Sequence, residues 1–178
     1  IFSLILLFKI SIIFFLMPQI HSDLFLPFFL NWINDPNVQI WNEDLITNNK
    51  SPFPYGIVMF IVFLPLTYIG FYLDQFFEFK NFLYFTNFGF KFTIILFDIG
   101  ILIVLLKIFL KLKNEIILYY WTSPIVLFII YWHGQLDIVP VFLLLSSFLC
   151  LKYNLNFRSI IFFSLAVVAK HSMIISLP

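Results

Sequence analysis

Charge, cysteine and basic clusters are all scarce in this chain. Only 11% of its 178 residues are Asp, Glu, Lys or Arg, against about 25% in a soluble domain. With 62% hydrophobic residues and a mean hydropathy of +1.04, it would expose more apolar surface than water tolerates. That excludes a soluble globular domain and leaves an integral membrane protein. A net charge of +1 with no basic stripe excludes nucleic acid as a partner, because a phosphate-tracking surface needs clustered Lys and Arg. Cys150 is the single cysteine and lies inside an apolar run, so neither a disulfide framework nor a cysteine metal site can form. It reads as a core or lipid-facing residue. No small-residue cleavage site of the A-x-A kind follows the first apolar stretch, so Ile1 to Ile20 reads as a transmembrane helix rather than a signal peptide. The 27 Phe, with abundant Ile, Lys and Asn, are compositional bias that carries no function.

What is present is a series of apolar segments, each to be judged against the roughly 20 residues needed to cross a core about 30 Å thick. The expected spans are Phe2 to Met17, Gly56 to Tyr72 with Pro65 as a tolerated kink, Phe90 to Leu110 with Asp98 inside it, and Ile116 to Tyr131. Ile138 to Leu151 and Ser159 to Leu177 follow. The fold class is therefore all-α, a polytopic transmembrane helical bundle forming a single membrane domain over residues 1–178. Beginning at Ile1 and stopping at Pro178 beside an apolar segment is the pattern expected of a piece of a longer polytopic protein. Residues 19–54 form a first outer loop, in which Trp32 and Trp41 among acids and asparagines predict short helices lying at the interface.

One stretch interrupts the apolar pattern where a membrane protein can least afford it. In YYWTSPIVLFIIYWHGQLDIVPVF, from Tyr119 to Phe142, His133, Gly134, Gln135 and Asp137 separate two membrane-grade segments, and Pro124 and Pro140 bracket the break. A carboxylate beside an imidazole and an amide costs several kcal/mol in a bilayer unless it pairs or meets water, which makes the cluster a functional-site candidate. The bland alternative is an ordinary polar loop between two helices.

Topology follows from the basic loops. The loops containing Lys107 to Lys113 and Lys152 to Arg158 are the most basic, so both are expected on the cytoplasmic side and the HGQLD break on the other. The 19–54 loop, with four acids and one lysine, suits the non-cytoplasmic side as well. Counting then falls one crossing short, so Asp74 to Phe90 is expected to hide a short, tilted or re-entrant crossing.

Read in order, several pieces of the chain resemble one family. An apolar helix followed by an acid early in the outer loop (HSD, His21 to Asp23) and a proline-tyrosine entry to the next helix (SPFPYG) resembles the opening of the GT-C membrane glycosyltransferases. LFDIGILIVLL (Leu96 to Leu106) and SPIVLFIIYWHGQLDIVPVFLLL (Ser123 to Leu145) resemble the Asp-bearing helix and the proline-led, broken helix of the bacterial mannosyltransferase-like branch. LAVVAKHSMIISLP (Leu165 to Pro178) resembles its helix ending in Lys, a polar residue and Pro.

The resemblance implies transfer of a hexose from a polyprenyl-phosphate carrier to a lipid or glycan acceptor. It would occur on the outer face of a bacterial plasma membrane or the lumenal face of the endoplasmic reticulum, among membrane lipids. Displacing a sugar from a lipid phosphate needs a base on the acceptor hydroxyl and cations on the phosphate. Asp23 is the implied base, with His133, Gln135, Asp137, Lys170 and His171 as carrier- and substrate-binding residues. For Asp23 the alternative is a solvated loop aspartate or helix cap. For Lys170 it is a salt bridge to Asp98 or Asp137, and for Asp98 such a bridge is the expected role. HSD holds one acid where several class members hold a pair, so no metal is assigned. A divalent ion shared by His21 and Asp23 would want more oxygen ligands, and Asp35, Glu43 and Asp44 read better as solvated charges. A transporter or lipid-linked glycan flippase is the alternative from another class.

Overall fold

A computed structural model describes residues 2–37, 53–79 and 83–176. All regular structure among them is helical. The helices are α1 (Phe2–Phe15), α2 (Leu26–Asn34), α3 (Ile57–Phe76), α4 (Tyr84–Ile108), α5 (Lys113–Trp121), α6 (Pro124–Trp132), α7 (Ile138–Lys152) and α8 (Asn156–Ala169). A π-helical turn, His21–Phe25, leads into α2, the second halves of α5 and α6 are wound as π-helix, and a 3₁₀ turn, His171–Ser176, follows α8. Two helices, α3 and α4, are long and apolar enough to cross a membrane, and the α5–α6 pair, bent by 43°, passes the same test if it counts as one span.

The longest pairing in the bundle is made by glycine. α3 and α4 run antiparallel, with Gly70 against the Phe85 carbonyl and Gly89 against the Leu66 carbonyl, where a Cβ would sit 2.1 and 2.2 Å from those oxygens. Only hydrogen at Cα lets the two backbones approach this closely, which is how helices associate without a hydrophobic drive between them. Asp74, near the end of α3, bonds to the start of α4. It accepts from the Phe85 and Thr86 amides (2.9 and 2.7 Å) and the Thr86 hydroxyl (2.6 Å), satisfying donors that the start of α4 would leave orphaned. Pro65 lies inside α3 without ending it, as expected. Among the described residues Asp74 to Phe79 closes α3 and Leu83 to Phe90 leads into and opens α4, and the extra crossing expected there is not seen among them.

The helices packed on α4 are unequal in length. α1 packs antiparallel on α4, with Lys9 against Asp98 and Phe14 against Phe88. α7 runs parallel to α4, with Phe142 on Phe97 and the Lys152 ammonium on the Lys107 and Ile108 carbonyls (3.0 and 2.6 Å). α8 returns antiparallel on α7 through Ser147 and Ser159. At 1.5 Å per residue α1, α7 and α8 are each only about 21–23 Å long beside about 37 Å for α4. They start or finish at the basic end and stop partway along α4. α3 begins at that intermediate level, where Gly56 packs on the Val168 carbonyl, and continues away from the basic end. The contact of Lys152 with Lys107 and Ile108 puts both basic loops at one end of the bundle, and the HGQLD break lies one α7 length away from them.

Other boundaries move. The expected span Ile116 to Tyr131 is broken at 122–123, where Ser123 caps α6 by accepting from the Val126 amide and Pro124 occupies the first turn. The last expected span, Ser159 to Leu177, is α-helical only to Ala169, where the extended backbone of Lys170 separates it from the 3₁₀ turn. In the first outer loop α2 is present as a short helix, yet Phe28 and Phe29 are buried against Phe53, Phe60 and Phe63 rather than lying at a surface. Trp32 is half-buried on Phe60. Trp41, Glu43 and Asp44 lie outside the described residues.

Candidate functional site

Two lysine–aspartate pairs organise the polar chemistry of this bundle, and they differ in access to solvent. In the first, Lys9 Nζ donates to Asp98 Oδ2 at 2.6 Å with both side chains fully buried. Tyr131 and Tyr120 donate to the two oxygens of the same carboxylate (2.5 and 2.7 Å), and the ammonium lies 3.5 Å over the Trp121 ring. Every oxygen of Asp98 is thus met by a donor, the condition under which a buried pair survives its desolvation cost. The expected role of Asp98 as a structural ion-pair partner is met, but by Lys9 rather than Lys170. Lys9 was missed in the sequence, although an isolated cation in an apolar helix is a signal that could have found it.

In the second pair, Lys170 Nζ donates to both oxygens of Asp137 at 2.6 Å, with a third of each side chain exposed (33% and 35%). The fold makes this pair by bringing the C-terminal end of α8 to the N-terminal end of α7. The backbone of Lys170 leaves α8 here, so its side chain projects from a helix end rather than from the middle of a helix. Tyr55, buried just before α3, donates to Asp137 Oδ1 at a longer 3.4 Å. Burial and then the Asp137 charge raise the Tyr55 pKa well above its ordinary value, so the phenol stays a donor.

A third contact joins the HSD motif to the break. His21 is buried and its Nε2 lies 2.8 Å from the Gly134 carbonyl. A carbonyl only accepts, so Nε2 carries the proton and the neutral ring leaves Nδ1 as a lone-pair acceptor. Nδ1 is buried and has no partner among the described residues. Burial first, and then the positive charge of Lys91, pull the His21 pKa down to about 4 against the opposing Gly134 hydrogen bond. Gly134 itself stands at φ +82°, a conformation suited to glycine, and a Cβ there would meet His21 Nε2 at 2.7 Å. Lys91, buried on α4, donates to the Leu16 carbonyl at the end of α1 (3.1 Å).

The remaining expected site residues sit around this junction without joining it. Asp23 is exposed on the π-helical turn and accepts from the Ser22 hydroxyl at 2.8 Å. His133 is exposed, and its Nδ1 lies 3.4 Å from Gln135 Nε2, an amide that donates to it. His171, exposed, opens the 3₁₀ turn. Asp35 is exposed and accepts from the Asn37 amide. Among the described residues no three His, Cys, Asp or Glu side chains gather as a metal site, and His21 turns its Nε2 to a carbonyl rather than toward Asp23.

The structure thus joins His21 to Gly134 and Lys170 to Asp137 and Tyr55. Tyr55 was readable as part of the proline-tyrosine helix entry, though not as a partner of Asp137. Compared with protein-family models, curated proteins and solved structures, the chain matches none.

Proposed function

We propose that this protein is an integral membrane glycosyltransferase that takes a hexose from a polyprenyl-phosphate carrier, with the carrier phosphate at Lys170 and the acceptor hydroxyl served by Asp23. The observation that carries the reading is convergence. His21 on Gly134, and Lys170 and Tyr55 on Asp137, bring four separated motifs of the GT-C resemblance to one level of the bundle. Transfer needs a cation on the departing phosphate and a base on the attacking hydroxyl. Lys170 supplies the first from a partly open position, and Asp23, exposed and hydrogen-bonded to the neighbouring Ser22, supplies the second. Attack forms the new bond from acceptor oxygen to anomeric carbon while the bond from that carbon to the phosphate oxygen breaks. The electron pair stays on the phosphate beside Lys170 and the proton goes to the Asp23 carboxylate.

The test is transfer or hydrolysis of a short-chain prenyl-phosphate mannose by the purified chain in membranes of native lipid. Release of mannose that is lost in Asp23→Asn and in Lys170→Ala supports the reading. A wild-type chain that binds but never cleaves the donor overturns it.

One observation favours a second reading, a transporter or flippase. α7 and α8 are too short to span, and their ends meet at a polar pair partway along α4, the arrangement in which transporters build midplane sites from discontinuous helices. Movement of an intact lipid-linked sugar across a proteoliposome, without cleavage, distinguishes it.

A further inference from the structure

Among its described residues the chain carries two lysine–aspartate pairs with the same 2.6 Å contact and opposite surroundings. Lys9–Asp98 is sealed, with two tyrosines and an indole completing its coordination. Lys170–Asp137 is a third exposed, and its one further recorded partner is the long hydrogen bond from Tyr55. A sealed pair cannot exchange partners without stranding a buried charge. An open one can, because water and an incoming anion cover whichever group is released.

From this contrast we infer that Asp137 is an internal competitor for the phosphate site. Its carboxylate holds the place on Lys170 that a lipid phosphate takes, and carrier binding is an exchange of anions on one ammonium. The inference rests on the reading of Lys170 as the phosphate-binding cation and adds the regulation of that site. A carboxylate with both oxygens on one ammonium presents much the same acceptor geometry as two oxygens of a phosphate. When the phosphate arrives, Tyr55 keeps its hydrogen bond to Asp137 and turns the released carboxylate aside, so no buried charge is left without a donor. The resting pair also keeps Lys170 neutralised while the site is empty. Apparent affinity for the phosphate is then reduced by the fraction of time the pair is closed.

The test uses dodecyl phosphate as the probe, titrated calorimetrically into the full chain in a neutral maltoside detergent. Asp137→Asn, which removes the competing charge, is expected to bind the probe roughly tenfold more tightly than wild type, as it would if the pair is closed about nine-tenths of the time. Lys170→Ala is expected to lose binding. Asp137→Ser repeats the measurement with a different side chain, and a thermal melt of each variant identifies any that has not folded. If Asp137→Asn and Asp137→Ser, both folded, bind as wild type or more weakly while Lys170→Ala loses binding, Asp137 is no competitor and the phosphate reading of Lys170 stands. If Lys170→Ala binds the probe as well as wild type, that reading fails and this inference falls with it.

Discussion

His21 donates from Nε2 to the Gly134 carbonyl across 113 residues of sequence, at 2.8 Å, and this one bond joins the π-helical turn before α2 to the polar break before α7. The bond needs a proton on Nε2, burial keeps the ring neutral, and the close approach needs a glycine at 134, and the last two can be tested.

The first concerns proton linkage. Folded His21 has a pKa of about 4 against an unfolded value of about 6.5, so the unfolded chain takes up a proton at higher pH than the folded one. The stabilising difference is fully present above pH 6.5 and is lost as pH falls toward 4, amounting to about 3 kcal/mol for the whole titration. Thermal midpoints in detergent from pH 7.5 to 4 should fall in the wild type and fall less in His21→Gln. Parallel curves would show that His21 is not the group responsible.

Gly134→Ala should be among the more damaging single-atom changes in the chain. The added methyl meets His21 Nε2 and Ile20 Cγ2 at 2.7 Å and Pro18 Cβ at 2.8 Å, and the left-handed backbone alone costs about 1–3 kcal/mol for a non-glycine residue. A midpoint within a degree of wild type would refute the contact.

Glycines in the α3–α4 pair should respond by what they face. Gly70 and Gly89 abut backbone carbonyls, whereas Gly100 abuts the Phe142 ring at 2.8 Å, which can swing away. Gly70→Ala and Gly89→Ala should each lose about 1–3 kcal/mol, and Gly100→Ala distinctly less. Equal losses at all three positions would contradict the distinction.

Breaking the sealed pair should cost more than removing it. Lys9→Met strands a buried Asp98 carboxylate, for which about 3–5 kcal/mol is expected. Adding Asp98→Leu removes the stranded charge and should restore part of the loss, but not all, because Tyr120 and Tyr131 then lack their acceptor. The melts to compare are those of Lys9→Met, Asp98→Leu and the double variant, and strictly additive losses would argue against coupling.

Asp23→Asn should leave the melt unchanged, since Asp23 is exposed and, among the described residues, bonded only to Ser22, while lowering turnover on a prenyl-phosphate sugar by roughly 10²-fold or more, the scale of general base catalysis. Unaltered turnover would remove Asp23 from the mechanism.

The apolar composition by itself determined that the chain is helical and suited to a membrane, because a backbone in lipid must satisfy its own hydrogen bonds. It also placed α3 at Gly56 to Tyr72 against the observed Ile57–Phe76, found α4 but started it at Phe90 instead of Tyr84, and marked the break at 133–137, since these depend on local runs and local polarity. Buried charges announce themselves in the same way: Asp98, Asp137 and Lys170 stand out against apolar neighbours. Which cation meets which carboxylate was decided only in three dimensions. Lys9 reaches Asp98 across 89 residues and Lys170 reaches Asp137 across 33, and a one-dimensional pattern states that a buried ion needs a partner without ordering the candidates. The same holds for the place where α3 starts along α4. Glycine faces and the register they set fix that level, and they do so through backbone contacts that hydropathy does not encode.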